Sequence, residues 1–127
     1  MSVTGGRQAR IPSVPECLFC KIVSGGVPAT RALESSRTLS FRDINPQAPT
    51  HVLVIPKEHY PDLGALAAAD PGLLAEVLTQ AHEVAVAEGI SGTGYRVVLN
   101  TGPDSGQEVQ HVHAHVLGGR ALGWPPG

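Results

Sequence analysis

Gln110-His111-Val112-His113-Ala114-His115-Val116-Leu117 places three of the chain's six histidines at alternate positions, separated by small or β-branched apolar residues. Successive side chains of a β-strand point to opposite faces, so the stretch predicts a strand with an imidazole face and an apolar face. Neighbouring imidazoles on that face would stand about 6.6–6.8 Å apart. The apolar face can pack on a core while the other lines a site. Imidazole titrates near neutrality and serves as base, nucleophile or metal ligand, so three in strict alternation point to chemistry. We read the strand as running from Gln107 to Leu117, ended by Gly118-Gly119-Arg120.

Working outward, other segments supply strands and one long helix. Ala29 to Glu34 and Thr38 to Arg42 read as two strands joined by Ser35-Ser36, with Leu39 and Phe41 alternating with polar residues. Thr50-His51-Val52-Leu53-Val54-Ile55 is a strong strand stopped by Pro56, with His51 outside its apolar run. Gly94 to Leu99 is another, leading into the turn-rich loop 100–106. Asp70-Pro71 opens a helix, Asp70 as N-cap and Pro71 at the first helical position. Leu73, Leu74, Val77, Leu78, Ala81, Val84 and Ala85 give it an apolar stripe, and Glu76, Thr79, Gln80 and Glu83 a wet face, with Gly89 closing it. His82 beside the stripe is read as structural. Gly25-Gly26 ends a short helix holding Phe19 to Val23. Strands in succession with little βα alternation predict an α+β fold with an antiparallel sheet.

At 127 residues one domain is expected, with residues 1–15 a flexible tail and 16–127 the folded unit. A formal charge of −2 provides no basic footprint for nucleic acid or an anionic membrane. No run approaches the roughly 20 apolar residues of a membrane span, and the N-terminus lacks a signal-peptide core, so a cytoplasmic location is expected. Cys17 and Cys20 are then thiols or metal ligands rather than a disulfide. Two cysteines two residues apart reach one tetrahedral ion, which needs two further ligands; idle thiols are the other reading. A catalytic metal held by His51, His111, His113 or His115 also stays open at this point.

The pattern His-φ-His-φ-His-φ-φ, with φ apolar, resembles the histidine-triad (HIT) family, and within it the Hint branch of adenosine phosphoramidases. Phe41-Arg42-Asp43-Ile44-Asn45-Pro46-Gln47-Ala48-Pro49-Thr50-His51, Val54-Ile55-Pro56-Lys57, Gly106-Gln107, Gly118-Gly119-Arg120 and Trp124-Pro125-Pro126-Gly127 match in the same order, over about residues 17 to 127. The resemblance implies a five-stranded antiparallel sheet with one long helix and a short N-terminal helix, continued across a homodimer. It implies a purine nucleotide-binding hydrolase that cleaves the P–N bond of adenosine 5′-monophosphoramidates through a nucleotidyl-histidine, with purine nucleoside monophosphates and phosphoramidates as ligands. The alternative is a nucleotide-binding regulatory protein with negligible turnover.

By the same resemblance His113 is the nucleophile, His51 and His115 contact the phosphate, and His111 supports His113 through its backbone carbonyl. Asp43 holds the ribose, Phe41 and Ile44 wall the base pocket, and Asn100, Gly106, Gln107 and Val109 make other nucleotide contacts. Trp124 reaches toward the partner protomer's site. Glu108 stands where many eukaryotic Hint proteins carry a serine near the leaving group. Cys17 and Cys20 look like the pair of the zinc-bearing members, completed here by His59 and His111 as a structural site. Imidazoles flanking the phosphate need no metal for catalysis.

Overall fold

The computed structural model describes residues 14–127. The expected tail at 1–15 therefore lies outside the described residues except for Val14 and Pro15. The elements in chain order are α1 (Leu18–Ser24), β1 (Arg31–Glu34), β2 (Thr38–Arg42), β3 (Thr50–Pro56), α2 (Leu63–Ala69), α3 (Pro71–Ala87), β4 (Tyr95–Val98) and β5 (Ala114–Gly118), with a 3₁₀ turn at Pro103–Ser105. The five strands form one antiparallel sheet in the order β1-β2-β3-β5-β4, as the α+β expectation has it.

β3 occupies the centre of the sheet and every residue in it is buried. Its continuous apolar run follows from that place, because both of its faces are covered. Val52 and Val54 point to one side, into a core with Leu66, Leu73, Val77, Ala81, Val84, Ala85, Val112, Ala114 and Val116. Leu53 and Ile55 point to the other, with Phe19, Ile22, Leu39 and Phe41. The long helix α3 thus seals one face of the sheet, and the short α1 covers part of the other.

Local chemistry starts and stops these elements. Asp70 Oδ1 accepts the Leu73 N–H at 3.0 Å, capping α3, and its Oδ2 takes a 2.7 Å bond from Arg37. Gly89 follows α3 at φ 75°, and Gly25 follows α1 at φ 85°, the left-handed region glycine enters without a Cβ penalty.

Three expectations need correction. The histidine strand is shorter than 107–117: β5 begins at Ala114. β4 supplies partners only as far as Val98 opposite His115, and on the other side Pro56 has no N–H to extend the β3 ladder. The Val112 N–H donates to the Tyr60 carbonyl at 2.8 Å, so residues 111–113 lie outside the ladder, with a bend at His111. Second, Gln80 is only 4% exposed instead of lying on a wet face, because α3 also packs on β1 and β2; Leu78, assigned to the apolar stripe, is 43% exposed. Third, α2 was not anticipated; Asp62 Oδ1 caps it by accepting the Ala65 N–H at 2.9 Å.

Leu73 is fully buried between α3 and the sheet. Leu73→Ala is expected to lower unfolding free energy by about 2–5 kcal/mol, and Asp70→Ala by about 1 kcal/mol, in urea titrations of the two variants.

Candidate functional site

Parity along β3 and β5 builds the site. Even-numbered Val112, Ala114 and Val116 enter the α3 core, so odd-numbered His113 and His115 face the opposite side, where β3 places His51. Leu53 pairs with His115 and His51 with Leu117 across the ladder. Together these residues form a layer of imidazoles on the half-covered face: the rings of His113 and His115 are 4.9 Å apart, and those of His51 and His115 5.2 Å.

Hydrogen bonds assign the neutral tautomer of each ring. His113 Nδ1 lies 2.8 Å from the His111 carbonyl, so Nδ1–H donates and Nε2 keeps its lone pair. The Gln47 N–H donates to His51 Nδ1 at 3.0 Å, which leaves the His51 proton on Nε2. That Nε2–H meets His115 Nδ1 at 2.9 Å, with Asp43 Oδ2 beside it at 3.4 Å, so His115 in turn carries its proton on Nε2. His111 Nε2–H donates to the Pro56 carbonyl at 2.8 Å and presents its Nδ1 lone pair to the cysteines.

Burial makes these rings poor bases. His115 is pushed down to about 4, first by desolvation and then by His113 and His51. His111 is also pushed down to about 4, chiefly by burial. Burial likewise lowers His113 and His51, with Asp43 pulling the other way in both. The layer is therefore neutral at pH 7, with a lone pair on His113 and an N–H on His115.

A cleft of about 560 Å3 opens over this layer. His51, His113 and His115 line it together with Phe41, Asp43, Ile44, Asn100, Gly106, Glu108 and Val109, ten of the residues singled out in the sequence. Its apolar wall is completed by residues the sequence reading did not select, among them Leu18, Phe19 and Ile22 of α1 and Leu53 of β3. Phe19 stacks edge-on against His113 at 5.1 Å. No signal in the sequence separates a helix that covers core from one that also walls a cleft.

Six expected site residues lie outside the cleft lining. Gln107 braces the loops: its Oε1 accepts the Gly102 N–H at 2.9 Å and its Nε2 donates to the Pro61 carbonyl at 2.8 Å. Trp124 is 81% exposed near the C-terminus. His111 and His59 sit behind the cleft with the cysteines.

Cys17, Cys20, His59 and His111 bring their ligand atoms within 4.8 Å of one another. The Sγ–Nδ1 separations are 3.4 Å for Cys17–His111, 3.5 Å for Cys20–His59 and 3.6 Å for Cys20–His111. A tetrahedral zinc with ordinary Zn–S and Zn–N lengths has S···N edges of about 3.5–3.6 Å, so the donor set fits the ion. The Pro56 carbonyl orients His111 as outer partners of zinc-binding histidines do. α1 creates the pair: it carries Cys20 in its first turn, and Cys17 Sγ accepts the Cys20 N–H at its N-terminus.

The model of the HIT domain matches residues 24–122. A 14 kDa zinc-binding protein of Zea mays is 48% identical over 113 residues, covering 87% of each chain. Among solved structures, a HIT family hydrolase of Legionella pneumophila superposes with TM-score 0.85 at 52% identity, covering 88% of this chain and 100% of the other. A histidine triad nucleotide-binding protein of Candida albicans superposes with TM-score 0.76 at 33% identity, covering 87% and 83%.

His115 gives the site a pH signature. Its folded value, about 4, lies below the ordinary imidazole value of about 6.5, so in that window the unfolded chain binds a proton the folded chain does not. Stability is thus retained above pH 6.5 and lost as pH falls toward 4. Urea midpoints measured at steps from pH 7 to 4.5 should decline less steeply for His115→Gln than for the parent protein.

Proposed function

The chain belongs to the HIT domain family, and on that premise we propose that it is a nucleoside phosphoramidase, hydrolysing the P–N bond of adenosine 5′-monophosphoramidates. The observation that carries the reading is the tautomer of His113, whose Nδ1–H is held by the His111 carbonyl at 2.8 Å while Nε2 keeps its lone pair beside the cleft. In the first step His113 Nε2 attacks the α-phosphorus and the P–N bond breaks. The departing nitrogen takes up a proton passed on through His115, which takes one from solvent as it gives up its Nε2–H and so stays neutral. In the second step water attacks phosphorus and gives up a proton to solvent, the bond to Nε2 breaks, and the nucleoside monophosphate leaves with neutral His113 restored. Dividing one displacement in two through a covalent histidine eases a difficult step.

His115 Nε2–H is the imidazole donor open to the phosphate, with His51 Nε2–H bonded to its Nδ1, and Asp43 is placed to accept from ribose hydroxyls. Phe41, Ile44 and the α1 side chains form the apolar wall for a purine, with Asn100, Gly106, Glu108 and Val109 on the facing loop. Ile44 is 98% exposed, which suits a residue whose contact is a ligand and not the core. Gln107 acts through the loop it braces. The His115 N–H, backed by His51, is the phosphate donor of this reading, in which no metal takes part in the chemistry.

Zinc, in this reading, is structural and held by Cys17, Cys20, His59 and His111, with no open position. It ties α1 and the segment after β3 to the base of the histidine run, below the cleft. The exposed edge strand β4, with Val97 36% exposed and Leu78 and Val86 of α3 at 43% and 55%, supports a homodimer with a continuous sheet and Trp124 at the partner's cleft. Cys17 and Cys20, read as metal ligands and not as a disulfide, suit a reducing cytoplasm; among the described residues no helix is long and apolar enough to cross a membrane.

Incubation with an adenosine phosphoramidate followed by rapid acid quench should yield protein heavier by one adenylyl group, located at His113 by peptide mass spectrometry. His113→Ala should lose at least 10³-fold in kcat; turnover at the parental rate would exclude the mechanism, and nucleotide binding without turnover of any phosphoramidate would favour the regulatory alternative. Turnover should persist when free metal is chelated. Elemental analysis should find one zinc per chain, and Cys20→Ser should reduce that content and lower Tm.

A further inference from the structure

We infer that Arg120 is a positioning residue of the cleft: by holding the Gln47 carbonyl it keeps the Gln47 N–H on His51 Nδ1, and so fixes the direction in which the His51–His115 pair shares its protons. Arg120 lies just beyond β5, is exposed, and lines no part of the cleft. Its Nη2–H donates to the Gln47 carbonyl at 2.8 Å and its Nη1–H to the Ala121 carbonyl at 2.9 Å. The chain reaches this position through Gly119 at φ 91°, where a Cβ would come within 2.9 Å of Pro49 Cβ. The close approach of residues 119–120 to the 43–51 loop therefore requires glycine at 119 and delivers the guanidinium to Gln47.

The loop is stiff enough to transmit that hold. Pro46 and Pro49 restrict φ on either side of Gln47. Asp43 Oδ1 accepts the Asn45 N–H at 2.8 Å, and the Gln47 side chain donates to the Asn45 carbonyl at 2.9 Å. With residue 47 fixed, its N–H faces His51 Nδ1 at 3.0 Å. A proton on Nδ1 would put two donors against each other, so the tautomer protonated on Nε2 is selected. His51 Nε2–H then donates to His115 Nδ1 at 2.9 Å, and His115 is left with its proton on Nε2.

Without Arg120 the Gln47 carbonyl loses its side-chain hold and only the flanking prolines and the bond to Asn45 restrain the residue, so the other His51 tautomer becomes available, with Nδ1–H outward and Nε2 an acceptor. That tautomer accepts from His115 Nδ1–H and strips Nε2–H from His115. The orientation of one backbone N–H, together with the Asp43 carboxylate 3.4 Å from His51 Nε2, thus sets whether His115 presents a donor or an acceptor on its other nitrogen.

The test uses the full chain. Long-range ¹H–¹⁵N correlation spectra of the imidazole nitrogens, recorded without ligand, should show His51 unprotonated at Nδ1 and protonated at Nε2 in the parent. In Arg120→Ala both tautomers should be present, and Arg120→Lys, which retains one cationic donor, should restore the parental pattern in part. The kinetic arm rests on the phosphoramidase reading: kcat should fall roughly three- to tenfold in Arg120→Ala with KM within about twofold, as expected for one hydrogen bond lost from a positioning chain. A merely structural role would lower Tm and leave the tautomer of the folded protein unchanged. An unchanged His51 pattern in folded Arg120→Ala overturns the inference whatever the activity, whereas failure of the parent to hydrolyse any phosphoramidate overturns only the reaction proposed above. Should Arg120→Ala not fold, Arg120→Gln carries the same two measurements.

Discussion

The antiparallel ladder between β3 and β5 is the contact on which the rest of the structure depends. Its register sets Val52 opposite Val116 and Leu53 opposite His115. A slip of one residue would turn every side chain of β5 to the other face, burying imidazoles under α3 and presenting valines to the cleft. The dry core prevents that slip, since Val112, Ala114 and Val116 are buried among the α3 side chains. The packing energy of one face thereby holds the chemistry of the other in place.

Low polarity and fixed hydrogen bonds then work in the same direction on the imidazole layer. Burial disfavours imidazolium, and each additional ring in the layer raises the cost of a charge on its neighbour. A neutral imidazole still has one donor and one acceptor nitrogen, and backbone groups decide which is which: the His111 carbonyl for His113, the Gln47 N–H for His51, the Pro56 carbonyl for His111. Three rings of the same type are in this way given a lone pair, a donor and a ligand atom. Side-chain identity alone would leave them equivalent.

His111 joins two centres. Its carbonyl accepts from His113, while its ring stands among Cys17, Cys20 and His59. Any constraint on the ring at that cluster is felt one bond away at the base of His113. α1 is likewise shared, carrying Cys20 into the cluster and Phe19 against His113. The metal-type cluster and the cleft are adjacent layers of one construction, and stiffness in the first preserves orientation in the second.

Much of this was legible in the chain itself. Period-2 alternation at 111–117 announced an imidazole face and an apolar face, the run 50–55 announced a strand stopped by Pro56, and Asp70-Pro71 announced the start of α3, because each depends only on local backbone geometry and burial. The extent of β5 was not legible: where a ladder ends depends on which partner carbonyls and N–H groups are in reach, and here β4 stops at Val98 and Pro56 has no N–H to give. Gln80 was misjudged for a related reason, since a helix that rests on two further strands buries a wider arc than its own apolar stripe marks. The α1 side chains of the cleft wall, the bracing role of Gln107 and the clamp of Arg120 on Gln47 join residues dozens of positions apart. The sequence determined which side chains share a face; only the tertiary structure decided which nitrogen of each histidine bears the proton, because that is set by how backbone groups are turned toward each ring, nearby ones for His113 and His51 and the distant Pro56 carbonyl for His111, within 3.0 Å.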